Sequence, residues 1–548
     1  MRIALAQLNY IIGDFELNTG KIIQTIETCR QHGADLVVFA ELSVCGYPPR
    51  DFLEFNDFIE KSYAAVQSVA SHCHGIAAIV GAPSRNPDTK GKNLFNSAWL
   101  LAEGKIQAMA HKALLPTYDI FDEYRYFEPN RQFECVIYKG VKIALTICED
   151  IWNLVPDPLY ISNPMDVLAL QSPDIMINIA ASPFNYDQQH TRLGILRANT
   201  LQYKIPLIYV NQAGAQTELL FDGNSCAVDI AGNIVRQCKA FGEDIVIIDF
   251  DPESGSLVSD VPHTTVSSSK IALIHDALVM GIRDYFAKMG FKKAILGLSG
   301  GIDSAVTLAL ADEALGKENI YAVLLPSEFS SDHSINDAVA LAENLGCRYD
   351  TISIKDGYSS ILGSLQPYFN QLPFNVAEEN IQARVRAIIL MGLANKFGYI
   401  LLNTSNKSEA AVGYGTLYGD MCGGISVLGD VYKTDVYGLA NYINREHEII
   451  PVNSIVKPPS AELRPGQKDS DSLPDYEILD QVLYNYIELC QSPADLVAAG
   501  FDETTVKRVL RMVNMNEWKR HQTPPILRVS PKAFGQGRRM PIVGRYLA

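Results

Sequence analysis

Paired cysteines and long apolar runs are missing from this sequence of 548 residues. Its ten cysteines are scattered and none stands in a Cys-x-x-Cys pair, which argues against a zinc site or a disulfide framework and is typical of reduced thiols in a cytoplasmic protein. No run reaches about 18 apolar residues, so we expect no membrane span. The segment Met1–Gln7 becomes polar within a few residues, unlike a secretory signal peptide.

Basic residues are fewer than acidic ones. The chain has 46 Lys and Arg against 62 Asp and Glu, a formal net charge of −16, which argues against a nucleic-acid partner. The hydrophobic content of 47% and the charged content of 20% are ordinary for a soluble globular protein. The length allows three or four domains, and two large domains also fit.

Short apolar runs alternate with helical patterns over the first 250 residues. Helical periodicity is clear in Thr19–His32 and Phe58–Ser71. The strand-like runs are Ile3–Leu8, Leu36–Phe39, Ala77–Val80, Ala98–Leu101, Val141–Ile147, Ile175–Ile179, Leu207–Val210 and Ile245–Ile248. This alternation predicts a layered α/β domain over residues 1–250.

A segment rich in Pro, Gly and Ser interrupts this pattern, and we place a linker at residues 251–268. Residues 269–548 then open with an amphipathic helix and repeat strand and helix. The predicted strands are Ala294–Leu298, Tyr321–Leu325, Tyr349–Ile354 and Tyr399–Asn403. That order predicts a doubly wound parallel sheet, in which ligands bind at the carboxyl ends of the strands.

The most informative segment of the chain is Leu296–Ser304, Leu-Gly-Leu-Ser-Gly-Gly-Ile-Asp-Ser. A strand, a glycine turn and a helix start follow one another there, which is a geometry that holds phosphate on free backbone N–H groups. The alternative is a strand–helix turn that merely contains glycines. No Lys-Ser/Thr follows the glycines, so the segment is not a Walker loop.

The pattern Ser-Gly-Gly-x-Asp-Ser resembles the pyrophosphate loop of the ATP pyrophosphatases, enzymes that split ATP into AMP and pyrophosphate. The resemblance implies ATP as a co-substrate. It places the ATP-binding residues at Gly297, Leu298, Ser299, Gly300, Gly301, Ile302, Asp303 and Ser304.

Three residues in the first half each follow an apolar strand or its turn: Glu41, Lys112 and Cys148. A carboxylate at the end of a buried strand needs a partner, and a nearby lysine would satisfy it and also lower the pKa of a cysteine. Together they could perform acyl transfer, with a thiolate nucleophile, a carboxylate that moves the proton and an ammonium that stabilises the oxyanion. Taken singly, each is more often a packing or structural residue.

The contexts Phe-Ala-Glu-Leu-Ser-x-x-Gly-Tyr, His-Lys-x-x-Leu-Pro and Ile-Cys-Glu-Asp-Ile-Trp together resemble the nitrilase, or carbon–nitrogen hydrolase, superfamily. The resemblance implies a four-layer αββα sandwich with Glu41 as base, Lys112 as oxyanion stabiliser and Cys148 as nucleophile. Positions that contact glutamine in its glutaminase members correspond to Tyr118, Ser182 and Gln188. The last position is often lysine in that family, so the family's glutamine contact is not carried over intact to Gln188.

Further segments of the second half resemble one group of ATP pyrophosphatases, the NAD synthetases. These segments are Glu379–Arg386 and Leu402–Glu409. The resemblance implies Mg²⁺ on Asp303 and Glu409, a choice that agrees with the preference of this hard cation for carboxylate and phosphate oxygens. It also implies ATP contacts at Thr404, Lys433 and Ser460, and deamido-NAD contacts at Asn380, Arg384, Glu409 and Lys532. Without the resemblance, Arg384 would be a surface salt-bridge residue and Glu409 a carboxylate at a helix start.

Two positions depart from the small, ammonia-using NAD synthetases. Leu417 stands where they carry a lysine, and about Gly424 where they carry an aspartate. The pyridine side of the pocket is therefore not carried over. The chain after Glu517 has seven Lys and Arg and no acidic residue, which indicates either a solvated tail or a basic flap over the phosphates of a dinucleotide.

Both resemblances together imply a homo-oligomeric enzyme that takes ammonia from glutamine and, with ATP, amidates deamido-NAD through a nicotinate adenylate. Two alternatives stay open: a glutamine-fed ATP pyrophosphatase for another carboxylate, and a catalytically silent nucleotide-binding protein.

Overall fold

The computed structural model describes residues 1–88, 90–154, 158–261, 268–544 and 546. The chain divides into two compact units, Met1–Ser267 and Ser268–Ala548. Among the described residues, no helix has both the length and the apolar character that crossing a membrane requires.

Among its described residues, the first unit contains two large β-sheets, one two-stranded sheet and four α-helices. The helices are α1 (Phe15–Gln31), α2 (Asn56–Ala70), α3 (Pro164–Ala169) and α4 (Gln188–Tyr203). The strands are β1 (Arg2–Gln7), β2 (Leu36–Val38), β3 (Ala77–Arg85), β4 (Leu94–Ala102), β5 (Lys105–His111), β6 (Val136–Tyr138), β7 (Val141–Ile147), β8 (Ile175–Ala180), β9 (Leu207–Asn211), β10 (Ala213–Gln216), β11 (Leu219–Asp222), β12 (Cys226–Val228), β13 (Ile234–Gln237), β14 (Asp244–Asp251) and β15 (Ser256–Val258).

Two large sheets form the centre of this unit. One has the order β15-β14-β1-β2-β3-β4-β5 and the other β13-β12-β9-β8-β7-β6. Alternate residues of β1 serve opposite faces, as the pleat requires: Ile3 and Leu5 pack in the core shared with the second sheet, while Ala4 and Ala6 pack in the core that α1 and α2 cover. Helix α4 contacts β9 and β12 of the second sheet. The predicted αββα sandwich is therefore confirmed.

The end of the first unit differs from the sequence-based expectation. Residues 256–258, which we had placed in the linker, form the edge strand β15 and pair with β14. The strand is three residues long and lies within a Gly- and Ser-rich segment, so apolar periodicity gives no signal for it. Residues 262–267 of the expected linker lie outside the described residues.

The second unit contains five parallel strands in the order β18-β17-β16-β19-β20. They are β16 (Ala294–Gly297), β17 (Ile320–Leu324), β18 (Arg348–Thr351), β19 (Ile400–Asn403) and β20 (Ile425–Ser426). The helices are α5 (Lys270–Met289), α6 (Ile302–Leu315), α7 (Asp332–Leu345), α8 (Lys355–Leu365), α9 (Val376–Phe397), α10 (Lys407–Val412), α11 (Lys433–Ile443), α12 (Val452–Val456), α13 (Tyr476–Ile487), α14 (Pro493–Ala498), α15 (Glu503–Met515) and α16 (Glu517–Arg520).

The parallel sheet confirms the doubly wound prediction. Side chains of α8 and α9 pack on β16 and β17 in one apolar core, and α6 contacts the same two strands. A separate helical core joins α10, α13, α14 and α15. The strand order reverses between β16 and β19, and ligands bind at such a switch point in open α/β sheets.

Candidate active sites

Lys112 lies at the centre of a buried charge cluster in the first unit. Its Nζ is 2.8 Å from Glu41 Oε1 and 2.8 Å from Glu123 Oε2. Glu41 follows β2, Lys112 follows β5, and Glu123 opens a short 3₁₀ turn, Glu123–Arg125. All three side chains are buried, so each charge depends on the others for compensation.

The remaining polar contacts of Glu41 fix both of its carboxylate oxygens. Asn96 Nδ2 donates to Oε1 at 2.7 Å, and the backbone N–H of Ala181 donates to Oε2 at 2.9 Å. Tyr47 Oη donates to Glu123 Oε1 at 2.9 Å. The carboxylate that would accept the thiol proton is thus held in one orientation.

Cys148 stands directly after β7, as the first residue of the 3₁₀ turn Cys148–Ile151. Its φ of 44° lies in the left-handed region, a conformation that is uncommon outside glycine and clusters at functional sites. Asp150 holds this turn: its carboxylate accepts from Ile147 N at 3.0 Å and from Ala113 N and Leu114 N at 2.9 Å each. Asp150 therefore connects the residue before the thiol to the residues after Lys112.

The pKa of Cys148 differs from our expectation. Burial raises the pKa of the thiol well above its usual range, Glu41 raises it further, and Lys112 opposes both. Burial also raises the pKa of Glu123, to about 7. Burial lowers the pKa of Lys112, but Glu123 and Glu41 together raise it well above its usual range. Lys112 is held between two carboxylates, and its charge lowers the pKa of the thiol less than burial and Glu41 together raise it.

The residues that the resemblance assigns to glutamine lie near this cluster to different degrees. Tyr118 Oη donates to Glu149 Oε1 at 2.8 Å, next to Cys148 in sequence, and Tyr160 Oη donates to the same oxygen at 3.1 Å. Ser182 is buried and follows Ala181, which binds Glu41. Gln188 begins α4, where its Oε1 accepts from Asn185 Nδ2 at 3.2 Å.

Three residues of this site were missed in the sequence: Glu123, Glu149 and Asp150. The local pattern Cys-Glu-Asp at a strand end could have drawn attention to the last two. No local signal in the sequence marks Glu123, because its contact with Lys112 forms only in the folded chain.

The second site is a cavity of about 310 Å³ at the carboxyl ends of β16 and β19. The loop from Gly297 to Ser304 bounds it, and Ser299 Oγ accepts from Gly301 N at 3.2 Å within that loop. Gly300 has a φ of 77°, and a Cβ on it would lie 2.1 Å from Ser334 O, so only glycine fits. The predicted ATP-binding residues that line the cavity are Gly297, Leu298, Ser299, Gly301, Ile302, Asp303, Ser304, Thr404, Lys433 and Ser460, whereas Gly300 does not line it.

Lys433 joins the two carboxylates of the predicted magnesium site. Its Nζ lies 2.5 Å from Asp303 Oδ2 and 3.4 Å from Glu409 Oε1. Buried Asn406 links the same pair, since its Nδ2 donates to Asp303 Oδ1 at 2.8 Å and its Oδ1 accepts from Glu409 N at 2.9 Å. Burial and the charge of Asp303 raise the pKa of Glu409 to about 8. A second cation near these carboxylates would therefore be stabilised.

Three predicted dinucleotide-binding residues do not line this cavity. Asn380 Oδ1 accepts from Thr416 Oγ1 at 2.7 Å, and Arg384 Nε donates to Leu417 O at 3.2 Å. Both residues therefore contact the loop that contains Thr416 and Leu417. Lys532 Nζ lies 3.6 Å from Cys490 Sγ. Their assignment to deamido-NAD stays a prediction.

The basic C-terminal segment is neither a simple solvated tail nor a simple flap. Arg520 and Arg538 are buried and both bind Glu517, at 2.7 and 2.8 Å. Buried Arg528 donates to Ser530 O at 3.3 Å. Much of the charge is thus used inside the fold, while Arg545 lies outside the described residues.

An amide-hydrolase sandwich with a Glu–Lys–Cys cluster and a parallel sheet with a phosphate loop define a class of two-domain, ATP-using amidotransferases. Family models agree in each half: residues 2–258 match "Carbon-nitrogen hydrolase" and residues 274–523 match "NAD synthase".

Full-length comparisons give the particular family. The chain is 45% identical to the glutamine-dependent NAD(+) synthetase of a Synechocystis strain over 98% of both chains, and 40% identical to that of Thermotoga maritima over 100% and 99%. The structure of the Acinetobacter baumannii glutamine-dependent NAD+ synthetase, in complex with adenosine diphosphate, matches with a TM-score of 0.79 and 38% identity, covering 99% of this chain and 98% of that one. The chain belongs to the glutamine-dependent NAD(+) synthetase family.

Proposed function

We propose that this chain amidates deamido-NAD to NAD, using ATP and glutamine and releasing AMP, pyrophosphate and glutamate. The observation that carries the proposal is the presence in one chain of two separate lysine–carboxylate sites, one beside a buried cysteine and one beside a phosphate loop. The full-length likeness to glutamine-dependent NAD(+) synthetases supports the same assignment.

In the first site Cys148 attacks the amide carbon of glutamine. The proton of the thiol, whose pKa is raised by burial, passes to Glu41 as the C–S bond forms, and Glu41 then gives the proton to the departing ammonia. Lys112 stabilises the oxyanion of the tetrahedral intermediate. Water then attacks the thioester carbon while Glu41 takes its proton, the C–S bond breaks, and Glu41 returns the proton to the departing sulfur of Cys148 as glutamate leaves. Tyr118, Ser182 and Gln188 are assigned to hold the glutamine.

In the second site the nicotinate carboxylate of deamido-NAD attacks the α-phosphate of ATP, and pyrophosphate leaves. Ammonia then attacks the carboxyl carbon of the mixed anhydride, and AMP leaves with the electrons of the broken C–O bond. The loop from Gly297 to Ser304 offers backbone N–H groups to the phosphates. Lys433, which lines the cavity, stabilises the charge that develops on them.

Asp303 and Glu409 fit a Mg²⁺ ion. Both carboxylates reach one point, the Nζ of Lys433, within 3.4 Å, so a cation can meet both. No group of three or more His, Cys, Asp or Glu side chains suited to a metal occurs among the described residues, and magnesium is commonly held by one or two carboxylates plus phosphates and waters. When bound, Mg²⁺ neutralises charge on the phosphate oxygens.

We further propose a cytoplasmic homo-oligomer. All ten cysteines are described and each is a free thiol, which suits a reducing compartment. The oligomer is the expectation for the family, and light scattering of the purified chain measures it.

A substrate panel tests the proposal. The chain is incubated with ATP, Mg²⁺ and glutamine plus deamido-NAD, xanthosine monophosphate or aspartate, and both amide product and AMP are measured. We expect product only with deamido-NAD, with one AMP per NAD. Amide product from another carboxylate would assign a different synthetase, and ATP binding without AMP release would support the silent nucleotide-binding alternative.

A further inference from the structure

Arg386 is a cationic side chain of the nucleotide cavity that has no role in the assignment above. It lies on α9 and lines the cavity together with the phosphate loop. Its Nε donates to Leu325 O at 3.0 Å, directly after β17. Strand β17 is the neighbour of β16, which leads into the loop from Gly297 to Ser304. The guanidinium is therefore held at the carboxyl end of β17, next to the strand that leads into the phosphate loop.

The charge of Arg386 has no ion-pair partner within the part of the chain that the structure describes. The other two cations of the cavity do: Lys433 contacts Asp303, and Lys457 lies 3.1 Å from Asp337. Among the described residues, Arg386 makes one hydrogen bond, through Nε, which leaves both Nη groups for a ligand.

The nearest carboxylates influence Arg386 only at a distance. Burial lowers the pKa of the guanidinium, while the charges of Asp420 and Glu462 raise it; an arginine remains protonated in either case. Asp420 accepts from Thr416 N at 2.6 Å, and Glu462 accepts from Ser331 and Ser334 hydroxyls at 2.9 and 2.7 Å. A partly buried guanidinium without a paired anion is costly unless a ligand supplies the anion.

The neighbouring Arg384, in contrast to Arg386, does not line the cavity. Arg384, two residues earlier on the same helix, is exposed and binds Leu417 O away from the cavity lining. Two residues correspond to about 200° around a helix axis, so the two arginines face nearly opposite sides. Of these two arginines, it is Arg386 that is available to a ligand on the phosphate loop.

We propose that Arg386 binds the phosphate chain of ATP, in addition to the loop from Gly297 to Ser304. The planar guanidinium fork matches two phosphate oxygens, which a lysine cannot reproduce. The phosphate groups of ATP are the anions that this loop receives under the proposed function, and the inference rests on that function. Deamido-NAD is the other source of anionic oxygens, and the experiment separates the two.

The test measures binding of ATP and of deamido-NAD, each with Mg²⁺, by calorimetry on the full chain. We compare the unsubstituted chain with Arg386→Gln, Arg386→Lys and a control, Lys396→Gln, which removes an exposed charge from the same helix. We expect Kd for ATP to rise at least about tenfold in Arg386→Gln and to stay weaker than normal in Arg386→Lys. Kd for deamido-NAD, and both constants of the control, should change by less than about twofold.

The possible results separate the inference from the function on which it rests. Unchanged ATP binding in both Arg386 variants overturns the inference. Weaker binding of deamido-NAD alone also overturns it, because that result would assign Arg386 to the dinucleotide. Failure of the unsubstituted chain to bind ATP overturns the proposed function itself. Retained glutaminase activity and unfolding temperature show that the variants are folded, and Arg386→Lys decides the question if Arg386→Gln does not fold.

Discussion

Each unit of this protein contains a lysine held between two carboxylates, but the two arrangements differ in their access to solvent. In the first, the side chains of Lys112, Glu41 and Glu123 are 1%, 0% and 6% exposed. In the second, Lys433 is 2% exposed, while Asp303 and Glu409 are 18% and 17% exposed and face a cavity.

The difference follows the chemistry that each site performs under the proposed function. The closed cluster has both oxygens of Glu41 fixed by protein donors, so it needs only the substrate and works as a preorganised unit. The open cluster is incomplete without phosphate and a second cation, since burial and the nearby charge of Asp303 raise the pKa of Glu409 to about 8. In the first site, buried protein groups hold the carboxylate of Glu41 in place. In the second site, we expect phosphate and a cation to complete the arrangement.

The largest expected effect separates the two sites. Cys148→Ala should abolish glutamine-driven synthesis, by at least about 10³-fold, because the covalent step is lost, while synthesis from added ammonium stays largely intact. Asp303→Asn or Glu409→Gln should reduce synthesis with either nitrogen source by about 10²-fold or more and leave glutamine hydrolysis at a basal level. NAD and glutamate formation are measured together, with Cys490→Ala as control. Loss of ammonium-driven synthesis in a folded Cys148→Ala chain would contradict the separation.

The next effect concerns stability. Lys112→Gln leaves two buried carboxylates without a cation and should cost about 3–5 kcal/mol. Lys433→Gln should cost about 1–2 kcal/mol, because Asp303 and Glu409 can still be hydrated from the cavity. Denaturant midpoints of the two variants, followed by fluorescence and circular dichroism, compare them. Equal loss in both variants would mean that solvent access does not distinguish the clusters.

Glu123 tests whether the closed cluster works as a unit. Glu123→Gln removes one of the two anions that bind Lys112, so we expect kcat for glutamine hydrolysis to fall about 10²-fold through misplacement of the lysine. KM for glutamine should change less than kcat. Exposed Glu54 provides the matched control as Glu54→Gln. An unchanged kcat would leave Glu123 with a purely structural role.

The smallest expected effect concerns Lys532. Since the resemblance assigns Lys532 to deamido-NAD, Lys532→Ala should raise KM for deamido-NAD about tenfold or more, which is about 1.4 kcal/mol, in steady-state assays at saturating ATP. An unchanged KM would agree with the position of the Lys532 Nζ beside Cys490 Sγ, outside the cavity lining, and would leave the C-terminal segment out of the open site.

The sequence predicted the strands and helices that have a clear apolar pattern of their own. The sequence predicts a strand at Val141–Ile147 from its predominantly apolar residues, and the structure has a strand with the same bounds. The two-residue strand β20 and the half-exposed β5 were missed, since neither has the apolar pattern of a buried strand. Residues at the ends of strong strands, such as Glu41 and Cys148, could be selected for the same reason.

The tertiary structure alone decided how these residues act on one another. Asn406 and Asp303 are 103 residues apart and meet in one hydrogen bond. The pKa of Cys148 depends on its burial and on the charge of Glu41, and a sequence motif reports neither.

The sequence by itself determined the fold class of the two units, and it predicted the phosphate loop and the set of Glu41, Lys112 and Cys148, because periodicity and short motifs are properties of neighbouring residues. The choice between Arg384 and Arg386 at the cavity, the second carboxylate on Lys112 and the internal use of the C-terminal arginines were decided only by tertiary structure. Burial and electrostatic pairing depend on distances between segments far apart in the chain, and these distances exist only once the sheets and helices have packed.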